Sequence, residues 1–188
     1  MRIKYLVSAS LIVLLQACSS APSQVVINPE LPIVQGNGYA QQSVVTSVLD
    51  LRTAHHLIQI EKPEQAAKLV STQQHLPDII ERALKRSFER AGMSVNTASE
   101  KTIEVVINEA LFVVKQETLK YRANANIVLT AKVENGSKTL TKTFTVRGNN
   151  EGPLTADIAV LERDFNQLLT KIIGNIVNDQ EVQQFVNN

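Results

Sequence analysis

Few side chains in this 188-residue sequence could carry chemistry. The neighbouring His55 and His56 would point to opposite sides of an extended strand, and His75 lies far along the chain, so the histidines lack metal-ligand spacing. The single Cys excludes an internal disulfide and a cysteine-cluster metal site. We therefore predict no metal site and no cofactor, and we expect histidines that are exposed near a strand end.

The carboxylates give little more evidence of catalysis. Asp50 and Arg52 share one face of a predicted strand, which favours a local ion pair. Glu109 interrupts an apolar strand face; we expect it to be exposed at a bulge or sheet end, and burial, which would raise the pKa of its carboxyl group, is the alternative. The sequence contains no phosphate-binding glycine loop, nucleophile elbow or paired-carboxylate motif. We predict that the protein is not an enzyme; a hydrolase, the less favoured alternative, would need a cleft beside Asp50, His55 or Glu109.

The N-terminus has the pattern of a secretory signal peptide. Arg2 and Lys4 precede the uncharged apolar stretch Tyr5 to Leu15, which is shorter than the roughly 20 apolar residues that a bilayer-spanning helix needs. We predict that residues 1–17 are cleaved from the mature protein.

Cys18 follows this stretch in a pattern that resembles the bacterial lipobox, with Leu15 three residues before it and Ala17 next to it. The resemblance implies cleavage before Cys18, a diacylglycerol thioether on its sulfur and acylation, for example by palmitate, of the new amine. The residue after the Cys is Ser19, whereas an Asp at this position would resemble an inner-membrane retention signal. We therefore predict a lipid anchor in the outer membrane, on its periplasmic face.

The rest of the chain divides into a linker and one folded region. Residues 18–43 contain three Pro and two Gly residues and are predicted to form a tether, although Val25 to Ile27 could dock as an edge strand. Residues 44–188 are predicted to form a single periplasmic domain. The charge of +1, with no basic patch, argues against nucleic-acid binding, and 44% hydrophobic residues argue against disorder.

Apolar periodicity predicts the elements of this domain. They are a first strand over 44–51, an ambiguous segment over 54–70, a helix over 77–91, three antiparallel strands over 102–114, 121–133 and 138–147, and a long helix followed by a short amphipathic tail. Asn135-Gly136 predicts a tight hairpin between the last two strands, and Gly148 to Pro153 predicts a loop. The strand, helix, β-meander, helix order indicates an α+β two-layer sandwich with a mainly antiparallel sheet.

The polar face of this meander is the predicted functional surface. It carries short hydrogen-bonding side chains, which are Arg122, Asn124, Asn126, Thr139, Thr141, Thr143 and Thr145. A solvated sheet face is the ordinary alternative. A docking surface for an envelope protein, for peptidoglycan or for a second copy of the chain is the more specific hypothesis.

Several segments, taken in order, are similar to the YajG family of bacterial lipoproteins. They are the lipobox, Asp50-Leu-Arg52-Thr53, Leu84 to Val95, Lys120 to Asn124, Asn135 to Lys138, Asn150-Glu151-Gly152 and Asp179 to Phe185. The resemblance implies a lipid-anchored periplasmic domain and no catalytic residues. We expect a non-catalytic binding or accessory module of the cell envelope; a structural or self-associating lipoprotein without a dedicated partner is the alternative.

Overall fold

The computed structural model describes residues 24–96 and 98–188. The predicted signal peptide and the lipobox residues Leu15, Ala17, Cys18 and Ser19 lie outside the described residues.

Eight strands and three helices form within the described residues. The strands are β1 Gln24–Val25, β2 Ser43–Asp50, β3 Ile58–Glu61, β4 Lys68–Thr72, β5 Ser94–Val95, β6 Thr102–Gln116, β7 Lys120–Asn135 and β8 Lys138–Pro153. The helices are α1 Leu76–Arg90, α2 Ile158–Val177 and α3 Gln180–Asn187. The ambiguous segment 54–70 contains β3 and most of β4, which pair antiparallel.

The sheet is mixed, so the prediction of a mainly antiparallel sheet is wrong. Along one edge of β6, β2 pairs with residues 102–107 and β3 with residues 112–115, both in parallel. Two further pairings, β1–β4 and β2–β5, are also parallel, so four of the seven pairings in the described chain are parallel. Parallel neighbours need a long crossover, which α1 and the segments around it provide between β2 and β6. The predicted meander is nevertheless present as β6–β7–β8.

The helices lie on one face of this sheet and bury the core against it. β7 turns alternate residues toward them, and all of these are buried, namely Tyr121, Ala123, Ala125, Ile127, Leu129, Ala131 and Val133. α1 begins one residue before its predicted start, and Gly92 beyond its end has a φ of 85°, which glycine adopts without steric cost. The two-layer α+β arrangement follows from this one-sided cover.

The last strand is longer than predicted. The hairpin forms at Asn135-Gly136, but β8 continues through the predicted loop to Pro153. A Cβ on Gly148 would lie 2.8 Å from a methyl carbon of Leu168, so the glycine permits close approach of α2 to the strand. A glycine that looks like a loop residue is therefore a packing residue here.

A one-residue bulge in β6 reverses which side chains face the core. The register with β7 shifts between Ile107 and Glu109, and the side chains that are buried after the shift are Ala110, Phe112 and Val114. Uninterrupted alternation along the predicted strand 102–114 would place Leu111 and Val113 on the face of Ile107, but the extra residue moves them to the opposite face.

The predicted tether is largely part of the folded body. Val25, Ile27 and Tyr39 are buried in the core. We call residues 24–35 the strap, because its backbone follows α2: Val26 N donates to Glu162 Oε2 (2.9 Å) and Asn178 Nδ2 donates to Ile33 O (2.9 Å). The domain therefore begins at or before Gln24, and the tether prediction is corrected from that residue onward.

Candidate functional site

The face of the sheet away from the helices, which we call the open face, holds all seven residues of the predicted docking surface. Cross-strand pairs place Arg122 opposite Glu151, Asn124 opposite Asn149, Asn126 opposite Arg147, Val128 opposite Thr145, Thr130 opposite Thr143, Lys132 opposite Thr141 and Glu134 opposite Thr139. No helix of the described chain covers this face, and six of the seven predicted residues are exposed, with Asn126 half-buried. Their role in docking stays a prediction.

Sequence analysis missed an apolar band beside these residues. It consists of Leu49, Val106, Leu111, Val113 and Val128. Leu49 is 45% exposed, and the other four are half-buried. The β6 bulge brings Leu111 and Val113 into the band, and the polar pair Asn108-Glu109 within an apolar run was the only signal of that bulge in the sequence. The open face thus combines an apolar centre with a threonine-rich side.

Glu109 also lies on the open face, beside the bulge as expected, but it is half-buried there and not exposed. Its Oε2 accepts a hydrogen bond from Asn126 Nδ2 at 2.6 Å, whereas Asn126 Oδ1 is buried and has no hydrogen-bond partner among the described residues. A buried acceptor that lacks a partner costs about 1–3 kcal/mol. Next to it, Thr130 Oγ1 lies 2.7 Å from Asn108 Oδ1 and 3.0 Å from Thr143 Oγ1.

Four charged side chains on the open face form two ion pairs. Lys132 Nζ lies 2.7 Å from Glu134 Oε1, and this hydrogen bond raises the pKa of Lys132 and lowers the pKa of Glu134. Arg122 and Glu151 approach to 3.9 Å. Within the part of the chain that the structure describes, Arg147 and Lys115 make no ion pair, so these two cationic side chains on the open face remain available to a partner.

The predicted Asp50–Arg52 ion pair forms, and it is buried. Arg52 Nη2 lies 2.8 Å from Asp50 Oδ2 and Arg52 Nε 2.9 Å from Asp50 Oδ1, while the two side chains are 5% and 10% exposed. Burial raises the pKa of Asp50, but hydrogen bonds and charge from Arg52, with a contact from His55, lower it to a net value of about 2. Asp50 is therefore a fixed carboxylate and not a proton donor at neutral pH.

A concavity of about 420 Å³ lies beside this ion pair, so the cleft that the hydrolase alternative requires is present. His55 and His75 line it, together with Ser71 and Thr72. In residues 24–96 and 98–188, however, neither histidine hydrogen-bonds to a serine or threonine: His55 contacts Asp50 and His75 contacts Asp78. Among the described residues, neither histidine is therefore positioned to activate a serine or threonine in this cleft.

A family model described as an uncharacterized lipoprotein matches residues 29–187. The chain belongs to this lipoprotein family. The match confirms the resemblance to YajG-like lipoproteins that the ordered segments indicated. No curated protein matches the lipoprotein.

Two solved structures share the fold of the lipoprotein. Protein XCC0632 from Xanthomonas campestris superposes with a TM-score of 0.61 at 19% sequence identity, over 85% of this chain and 96% of that chain. An uncharacterized protein superposes with a TM-score of 0.53 at 10% identity, over 82% of this chain and 97% of that chain. At these identities the likeness concerns the fold alone.

Two properties of the described residues bear on metal binding and on membrane spanning. No three His, Cys, Asp or Glu side chains in this part of the lipoprotein are grouped so that they could hold a metal ion. None of its described helices is both long and apolar enough to cross a bilayer.

The low pKa of Asp50 predicts acid sensitivity. Its folded value of about 2 lies below the ordinary value of 3.8, so the ion pair stabilises the fold fully above the ordinary value. This contribution, about 2 kcal/mol, is lost as the pH falls through the folded value. Urea unfolding at several pH values between about 5 and 2 is expected to show this fall in the free energy of unfolding, and the Asp50→Asn variant is expected to show a smaller fall. An equal fall in the variant would assign the acid sensitivity to other groups.

Proposed function

We propose that this lipoprotein is anchored through lipid on Cys18 in the outer membrane and acts as a non-catalytic binding module that presents its open face to another component of the periplasm. The observation that carries the proposal is the uncovered sheet face, on which half-buried apolar side chains lie next to exposed hydrogen-bonding ones.

The composition of the open face supports docking over simple solvation. A solvated face of an antiparallel sheet normally alternates polar residues outward, whereas this face places the apolar band at its centre. Apolar centres with polar rims are the usual anatomy of protein interfaces. The threonines Thr139, Thr141, Thr143 and Thr145 supply short donors and acceptors along β8 that cost little side-chain entropy to fix.

Self-association is a second candidate, and a separate observation favours it. β8 has 16 residues and pairs with β7 alone among the described strands, so one long edge is free. Free edges of this length readily pair with another strand. A second copy of the lipoprotein could use that edge without contacting the apolar band.

Crosslinking in living cells tests the proposal. Photoreactive residues at Asn124, Thr141 and Thr143 are expected to give one specific adduct, which mass spectrometry identifies, while the same residue at Lys85 on the exposed side of α1 gives none. An adduct with a second copy would support self-association. Equal, unspecific labelling at all four positions, with the lipoprotein present at the membrane, would contradict docking through the open face.

Charge substitution on the open face gives the matching prediction. The double variant Thr141→Lys and Thr143→Lys is expected to abolish the adduct at Asn124, because two added charges would have to be desolvated at the interface. Both threonines are exposed, so the melting temperature should stay unchanged. Glu89→Lys on α1 adds the same net charge to the opposite side and should leave the adduct intact.

A further inference from the structure

Two exposed leucines lie side by side at one end of the sheet. Leu119, in the turn between β6 and β7, is 74% exposed, and Leu154, after β8, is 64% exposed. Leu154 N donates to Leu119 O at 2.8 Å, so the two loops are joined directly. Exposed large apolar side chains are ordinary when scattered, but a fixed pair calls for an explanation.

The pair is held in place by a buried glutamine. Gln116 is 7% exposed, and its Nε2 donates to Glu117 O (2.8 Å) and to Leu154 O (2.6 Å), while its Oε1 accepts from Ala156 N (3.1 Å). One side chain thus fixes both loops. Leu154 has a φ of 61°, a backbone conformation that is unfavourable for leucine. The hydrogen bonds of Gln116 therefore hold an exposed apolar residue in a conformation that it does not prefer.

The direction of β1 shows that the chain enters the domain from this same end. β3 runs parallel to β6, β4 runs antiparallel to β3, and β1 runs parallel to β4. Gln24 pairs with Ser71, and the step from Gln24 to Val25 points away from the end that holds Leu119. The N-terminal side of Gln24 therefore faces the leucine end.

The distance to the lipid is short. Five residues, 19–23, separate Cys18 from Gln24, and a fully extended chain of this length spans about 20 Å. By strand register, Gln24 lies level with Leu111, about 17 Å from Gln116 at the leucine end. Because the strap is hydrogen-bonded along α2, its residues cannot lengthen the linker to Cys18 unless those hydrogen bonds break.

We infer that the end of the domain that carries Leu119 and Leu154 rests on the bilayer that holds the Cys18 anchor, with both leucine side chains in the lipid interface. This inference rests on the lipid attachment in the proposed function. The lipid on Cys18 would keep both leucines close to the bilayer, and exposed apolar side chains are favourable in the lipid interface. The open face then stands upright from the membrane, with the β7–β8 turn at its far end.

Site-directed fluorescence on the lipidated full chain tests this orientation. Lipid occupies the thiol of Cys18, the only natural Cys, so a cysteine placed at Leu119, Leu154 or Ser137 is the one thiol that takes an environment-sensitive dye. The labelled protein is reconstituted in vesicles of phosphatidylethanolamine and phosphatidylglycerol that contain nitroxide-labelled lipid. Ser137 lies exposed in the β7–β8 turn and is the matched control.

The expected result is quenching at positions 119 and 154 that is roughly two- to threefold stronger than at 137, since interfacial apolar groups lie about 5–10 Å deep. Melting temperatures close to that of the unsubstituted protein show that each variant is folded. Equal quenching at all three positions in a protein whose intact mass includes the lipid would overturn the orientation and leave the anchor standing. An intact mass without lipid would overturn the anchor and the orientation together.

Discussion

The Cys18→Ala variant is expected to disappear from the outer-membrane fraction and to carry no lipid in its intact mass. The thiol is the predicted attachment point, and acyl chains contribute about 0.8 kcal/mol of membrane affinity per buried CH₂. Separation of inner and outer membranes on a density gradient, followed by mass spectrometry, measures both effects.

Ser19→Asp is the matched control for this experiment. It leaves the thiol in place, so the lipid should remain, but it introduces the residue that resembles an inner-membrane retention signal. We expect the control variant to move to the inner membrane with its lipid intact. A Cys18→Ala protein that stayed in the outer membrane would refute the anchor.

Arg52→Ala is expected to lower the free energy of unfolding by about 3 kcal/mol, because it leaves the Asp50 carboxylate buried without its partner. For a chain of this size that corresponds to a fall of about 10 °C in melting temperature. Asp50 retains the hydrogen bond from the backbone N–H of residue 52 (3.1 Å) and the contact with the exposed His55 at 3.3 Å, but it loses its charged partner. Thermal unfolding monitored by circular dichroism provides the measurement.

Two further variants separate lost pairing from general damage. The double variant Asp50→Leu and Arg52→Met removes both charges, and we expect it to recover most of the stability that Arg52→Ala loses. Arg163→Ala breaks the ion pair with Asp164, in which Arg163 is 63% exposed, and should leave the melting temperature nearly unchanged. A similar fall in the melting temperature of all three variants would show that the loss in Arg52→Ala does not come from leaving a buried charge unpaired.

The parts of the sheet that depend on neighbouring residues could be predicted from the sequence, and the parts that depend on distant residues could not. β7 follows strict alternation along its apolar positions, and the hairpin at Asn135-Gly136 depends on adjacent residues, so both could be predicted. The parallel pairing of β2 and β3 with β6 depends on contacts between residues far apart in the chain, which periodicity does not encode. The strand order therefore had to come from the structure.

The candidate site was predictable on β7 and β8 and not on β6. Alternation placed Asn124 and Thr143 on one face, but one inserted residue at Asn108 reversed the second half of β6 and hid the apolar band. The role of Gln116 could not be predicted either, because its hydrogen bond to Leu154 O joins residues that are 38 positions apart in the sequence. Single-residue insertions and long-range polar contacts have no periodic signature.

The strap sets the order in which the protein can finish folding. Residues 26–33 are synthesised before their hydrogen-bond partners on α2 and at its C-cap, from Glu162 to Asn178. The part of the core that buries Val25 and Ile27 therefore cannot close until α2 has left the ribosome. The nascent chain stays open around the strap while the intervening residues are made, and an open chain is the state in which translocation across a membrane remains possible.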